Sequence, residues 1–104
     1  MKGYAFHSEA EIDLIEILDF LTEDSPKAAD SFLDSVESAL EGLVHFPHQG
    51  YRRPNLTSRP LRFKLVGEYV IAYSPDTEPI RVVAIFHGRR SPRVIAAMLR
   101  GREQ

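Results

Sequence analysis

The sequence predicts an α+β fold: an N-terminal strand, an antiparallel helical hairpin packed on a mainly antiparallel four-stranded sheet, and a short C-terminal helix. Three observations lead there. Apolar residues recur at helical spacing through the first half of the chain, the period falls to two after Pro60, and a stretch over 47–60 with three prolines and a glycine separates the two regimes. Helices followed by strands on short connections make a helix layer on a sheet. At 104 residues and 43% apolar content, the chain is expected to form one domain over 1–104.

Each element has its own signal. "KGYAF" reads as a strand over residues 2–6, central or at an edge. "SEAEIDLIEILDFLTED" opens with Ser8 and Glu11 three apart, a capping-box signature for a helix start. Ala10, Leu14, Ile17, Leu18 and Leu21 share one helical face, while Glu9, Asp13, Glu16, Asp19 and Glu23 share roughly the other. Ile12 and Phe20 interrupt that polar face, so this helix has a second contact surface, met by a neighbouring helix or by a partner. Ser25 and Pro26 then supply an N-cap and a first helical residue. Ala29, Phe32, Leu33, Val36, Ala39, Leu40 and Leu43 form one apolar stripe of this second helix, and Asp30, Asp34, Glu37 and Glu41 an acidic one. Such a stripe is most simply a solvated face. Joined across "EDSP", the two helices pair as an antiparallel hairpin.

Beyond the loop, strands are expected at about 60–66, 69–74 and 80–87, with Gly67 and Glu68 in the first turn and "SPDTEP" in the second. Arg62 and Lys64 point to one face of their strand and Phe63 and Leu65 to the other. In the last strand Val82, Ala84 and Phe86 alternate with Arg81, Val83, Ile85 and His87. "SPRVIAAMLRG" makes the final helix, with Ser91 as N-cap and an end near Gly101. The sheet face away from the hairpin is expected to be partly open.

Net charge is only −2, yet the halves are opposed: residues 1–50 carry two lysines against eleven acids, and residues 51–104 carry eleven basic residues against four acids. Function is therefore expected to follow the charge map. The densest basic stretch, "IFHGRRSPR", gathers His87, Arg89, Arg90 and Arg93 without a local acid. With Arg62, Lys64 and Arg81 on neighbouring strands, it suits nucleic-acid phosphates or an acidic peptide. The competing reading has these arginines paired with acids of the helices. A lone histidine at a strand end, such as His87, is more often a hydrogen-bonded structural residue than a base. His7, His45 and His48 lack metal-ligand spacing, and no GxGxxG, P-loop, GxSxG or HExxH motif occurs. No cofactor is implied. The lack of cysteine and of a leader-like N-terminus fits a cytoplasmic protein, and no apolar run is long enough for a membrane helix.

"FHSEAEIDLIEILDFL", "KAADSFLDSVESALEGLVHFPHQG", "RFKLVGEYVIAY" and "IRVVAIFHGRR", in this order and spacing, resemble the RelE/ParE family of toxins from type II toxin–antitoxin pairs over about residues 4–95. The resemblance implies a cytoplasmic toxin masked by a cognate antitoxin that wraps it. Two activities share the fold. ParE-like members poison DNA gyrase and are not enzymes in their own right; RelE-like members cut messenger RNA on the ribosome. The near-neutral charge and the lack of tyrosine after residue 73 favour the ParE-like branch. There, Arg62, Arg81, His87, Arg89, Arg90 and Arg93 form the target-recognition surface, and Ile12 and Phe20 contribute to the antitoxin groove between hairpin and sheet. In the nuclease alternative, Arg62, Lys64 and Arg89 supply cations and His87 moves a proton. A relative that binds antitoxin but poisons nothing is the third possibility.

Overall fold

The chain enters its sheet almost at once. The strand β1 (Tyr4–Phe6) is followed by helices α1 (Ser8–Asp24) and α2 (Pro26–His45), strands β2 (Arg62–Val66), β3 (Tyr69–Ser74) and β4 (Ile80–His87), and helix α3 (Pro92–Gly101). The computed structural model describes residues 3–102, so Lys2, at the start of the expected first strand, lies outside the described residues. The sheet order is β1-β4-β3-β2. β1 is an edge strand parallel to β4, and the other pairings are antiparallel. The α+β class and the hairpin-on-sheet arrangement are as expected.

The hairpin covers one sheet face. Ala10 of α1 and Val36, Leu40 and Leu43 of α2 pack with Val66, Ile71, Tyr73, Ile80, Val82 and Ile85. The apolar stripe of α2 is buried or half-buried, and Asp30, Asp34, Glu37 and Glu41 are all exposed. Ser25 caps α2 as expected, its Oγ accepting from the Ala28 N–H at 3.2 Å. Gly67 turns β2 into β3 with φ +60°, a conformation that favours glycine.

Three expectations need correction. The cap of α1 is His7, whose Nδ1 accepts from the Glu9 N–H at 3.0 Å, while Ser8 is already helical. The reason is that the His7 N–H is bonded to the Val82 carbonyl at 2.8 Å. The chain therefore leaves the sheet at His7, and the helix starts at Ser8, one residue earlier than the sequence predicts. Secondly, β4 does not alternate simply. Ala72 pairs with Ala84 but Tyr73 with Val82, which leaves Val83 as the extra residue of a β-bulge. Ile80, Val82 and Ile85 consequently face the hairpin, and Val83, Ala84 and Phe86 face away. Thirdly, that far face is covered. Ile95 and Leu99 of α3, with Leu56 and Leu61 of the loop, close over Phe63, Val70, Ala72, Val83, Ala84 and Phe86. A strand apolar on both faces needs cover on both.

The loop is held through a buried hydroxyl. Tyr73 Oη donates to the Pro47 carbonyl at 2.6 Å and accepts from the Gly50 N–H at 3.0 Å. A Cβ at Gly50 would lie 2.6 Å from that hydroxyl and 2.8 Å from the Phe63 carbonyl, so the approach requires glycine. Burial raises the Tyr73 pKa above 10.0, opposed by the Gly50 hydrogen bond and by the charge of Arg62.

Candidate functional site

The basic residues singled out in the sequence divide into two populations. Arg62 is occupied internally, its Nη1 donating to the Gly50 carbonyl at 2.8 Å. Arg59, in the loop, donates to the carbonyls of Leu99 and Arg102 at 2.8 and 3.3 Å, fastening the end of α3. Arg102 is the deepest. Its side chain is 9% exposed and makes a two-pronged contact with Asp13, at 2.6 and 3.0 Å, while its Nε lies 3.7 Å from Glu9 Oε1. The hydrogen bond to Asp13 raises the Arg102 pKa, against the effect of burial, so the group is always charged.

This pair also completes the sheet. β1 ends at Phe6, so the edge of β4 beyond it has no strand partner. Arg102 donates to the Val83 carbonyl at 3.1 Å, and Asp13 accepts from the Ile85 N–H at 3.0 Å. Two side chains thus take the place of the missing ladder. Asp13 was expected on the polar face of α1; instead it turns towards the sheet. The sequence offered no signal for this contact, since 89 residues separate the partners.

Arg89, Arg90 and Arg93 form the second population. All three are exposed, and none makes an ion pair within 4 Å among the described residues. They lie between the end of β4 and the first turn of α3, where the helix N-terminus adds positive potential and no acid lies in the first turn. Arg81 is exposed too, but it sits opposite Ser74 at the start of β4, six residues from His87, or about 20 Å along the strand. It is therefore not part of the same cluster.

His87 lies on the hairpin side, 5.1 Å edge-on from Tyr69, which in turn packs on Phe32 of α2. Its Nδ1 accepts from the Arg89 N–H at 3.0 Å, and its Nε2 lies 3.3 Å from Glu68 Oε1. Lys64 and Arg62 are remote from it. Lys64 stands two strands away in the row of Ile85, and Arg62 in the row of Val82, five residues or about 16 Å along β4 from His87. Arg62, Lys64, His87 and Arg89 do not converge on one point.

The apolar interruptions of α1 are uncovered. Ile12 is 51% exposed and Phe20 66%, so no neighbouring helix takes up either residue. Phe20 and Glu16 form one rim of a cleft whose other rim is His87 and Arg90 and whose floor includes Ile17, Tyr69 and Ile85. Ile12 lies outside that cleft. The cleft joins an aromatic anchor, a carboxylate and a guanidinium in one concavity, the mixture that suits a peptide segment. No helix among the described residues is long and apolar enough to cross a membrane.

Comparison with curated proteins finds no match. A family model described as the ParE toxin of the type II toxin–antitoxin system parDE matches residues 4–92, which takes in the hairpin, all four strands, Arg89, Arg90 and the entry to α3. The chain belongs to the ParE toxin family of type II toxin–antitoxin systems, and an antitoxin partner comes with that membership.

Proposed function

We propose that this protein is a cytoplasmic, growth-inhibiting toxin that poisons DNA gyrase and is neutralised by a cognate antitoxin. The observation that carries the target assignment is the unneutralised state of Arg89, Arg90 and Arg93, in a domain with 15 acids to 13 basic residues. Carboxylates are plentiful, yet among the described residues none lies within ion-pair distance of these three. Exposed guanidinium groups at a helix start offer bidentate pairing to carboxylates of gyrase or to phosphates of the DNA it holds.

The dispersal of Arg62, Lys64, His87 and Arg89 supports gyrase poisoning over messenger cleavage. A nuclease needs a proton-transferring group and cations around one phosphate. Here Arg62 is spent on a backbone carbonyl, and both nitrogens of His87 have partners. For the antitoxin, Phe20 with its cleft and the neighbouring exposed Ile12 offer the apolar contact. Replacing both by alanine is expected to weaken antitoxin binding at least tenfold while leaving the toxin folded, and an unchanged affinity contradicts that placement.

The target is tested with purified toxin, gyrase and supercoiled plasmid beside a translating ribosome. Accumulation of linear, protein-linked plasmid supports the proposal. Codon-phased cuts in messenger RNA, with plasmid unaffected, overturn it.

A further inference from the structure

We infer that His87 is a positioning residue for the arginine surface: its imidazole, as a neutral acceptor, holds the turn that presents Arg89 and Arg90. The inference rests on the reading of that surface as the target contact.

His87 is the last residue of β4, and the chain reverses there. The Arg90 N–H donates to the His87 carbonyl at 3.0 Å, which closes a four-residue turn over 87–90. Inside the turn, the Arg89 N–H donates to His87 Nδ1 at 3.0 Å. An aspartate or asparagine commonly makes this bond at the first position of a turn, to the N–H two residues on. Here an imidazole nitrogen takes that role. The turn is also tied to its neighbour, because the Gly88 N–H donates to the Glu68 carbonyl at 2.8 Å. A Cβ at Gly88 would stand 3.2 Å from that carbonyl, so the two turns touch.

The Arg89 bond dictates the tautomer. An Nδ1 that accepts leaves the proton on Nε2, which faces Glu68 Oε1 at 3.3 Å. The Tyr69 edge then fixes the ring plane. Each polar atom of the imidazole is therefore occupied by the protein itself, and the ring acts on the target through the arginines it orients.

An imidazole carrying both protons has no lone pair at Nδ1, and the Arg89 N–H loses its acceptor. The charged or titratable groups facing the ring are Glu68 from the β2–β3 turn, Tyr69 from β3, Glu16 and Asp13 from α1 across the cleft, and Arg89 and Arg90 from its own turn.

The test is hydrogen exchange of the Arg89 amide in wild-type protein, His87→Ala and His87→Asn, compared at one pH. Rates are corrected for intrinsic exchange. One lost hydrogen bond corresponds to about fivefold less protection. That loss is expected in His87→Ala relative to the wild type. His87→Asn, which keeps an acceptor at the turn, is expected to stay near the wild-type value. Growth arrest is read in parallel: weakened by His87→Ala, restored by His87→Asn, abolished by Arg89→Glu with Arg90→Glu. Arg89 exchange that is unchanged in His87→Ala overturns the inference. So does a loosened Arg89 in a His87→Ala toxin that arrests growth as wild type does, when the double glutamate variant does not; the surface reading then survives. Full toxicity of the double glutamate variant overturns the surface reading itself, whatever His87 does. Should His87→Ala fail to fold, His87→Phe, which keeps a ring against Tyr69 but offers no acceptor, takes its place with the same expected and overturning results.

Discussion

The helix α3 is entered through Arg89, Arg90 and Arg93 and left through Arg102, and its two ends use one functional group in opposite ways. At the exit, a guanidinium is withdrawn from water, paired with Asp13 and bonded to the Val83 carbonyl. At the entrance, three guanidinium groups face solvent with no carboxylate within ion-pair distance among the described residues. Composition is the same at both ends; placement is not. The difference teaches that charge balance alone does not separate a structural arginine from one available to a partner. What separates them is whether a helical acid projects towards the sheet edge, as Asp13 does, or towards water, as Asp30, Asp34, Glu37 and Glu41 do.

That contrast can be broken most sharply at the buried end. Asp13→Ala strands a buried guanidinium and deprives the Ile85 N–H of its acceptor. A loss of about 3–5 kcal/mol is expected, read as a lowered urea midpoint with little change in slope. A loss under about 1 kcal/mol would mean that Arg102 reaches water freely and that the two ends of α3 are alike.

Next in size is Tyr73→Phe, which leaves the Pro47 carbonyl and Gly50 N–H unpaired beneath the loop. Its expected cost is about 1–3 kcal/mol by the same measurement. The variant also has a pH signature. Because the folded-state pKa of Tyr73 is raised above 10.0, its contribution is complete below that pH and is lost as pH rises through the folded value. Wild-type stability should therefore fall more steeply than that of the phenylalanine variant in alkaline titration beyond pH 10.0.

Smallest in stability is the change at the exposed end. Arg89→Glu with Arg90→Glu removes no ion pair, so the urea midpoint should shift by no more than about 0.5 kcal/mol equivalent. A large shift would mean that the entrance arginines also hold the fold together. Salt sharpens the same distinction: exposed contacts to a target weaken as ionic strength rises, while the Asp13–Arg102 pair, 11% and 9% exposed, is screened far less.

The elements were legible because each depends on local periodicity and punctuation. The stripe from Ala29 to Leu43, the Ser25–Pro26 start and the Gly67 turn are visible in short windows, and all three reappear in the structure. What stayed hidden depends on contacts distant in sequence. The bulge at Val83 decides which side each later residue of β4 faces, so Arg81 and His87 could not be assigned to faces by alternation alone. Cover for the second face comes from α3, from Leu56 in a stretch that reads as loop, and from Leu61 just ahead of β2. The arginine surface was half legible. Its dense part at 89–93 stands out by composition, but the internal occupation of Arg62 by the Gly50 carbonyl and of Asp13 by Arg102 has no signature in the chain.

The central claim is that the entrance arginines belong to the target and not to the fold. Its most direct test is the yield of linear, protein-linked plasmid from gyrase with wild-type toxin and with the Arg89→Glu, Arg90→Glu variant, at matched concentrations of folded protein. The expected result is product with the wild type and none with the variant, although the two unfold at the same urea concentration. Equal yields from both proteins would contradict the claim.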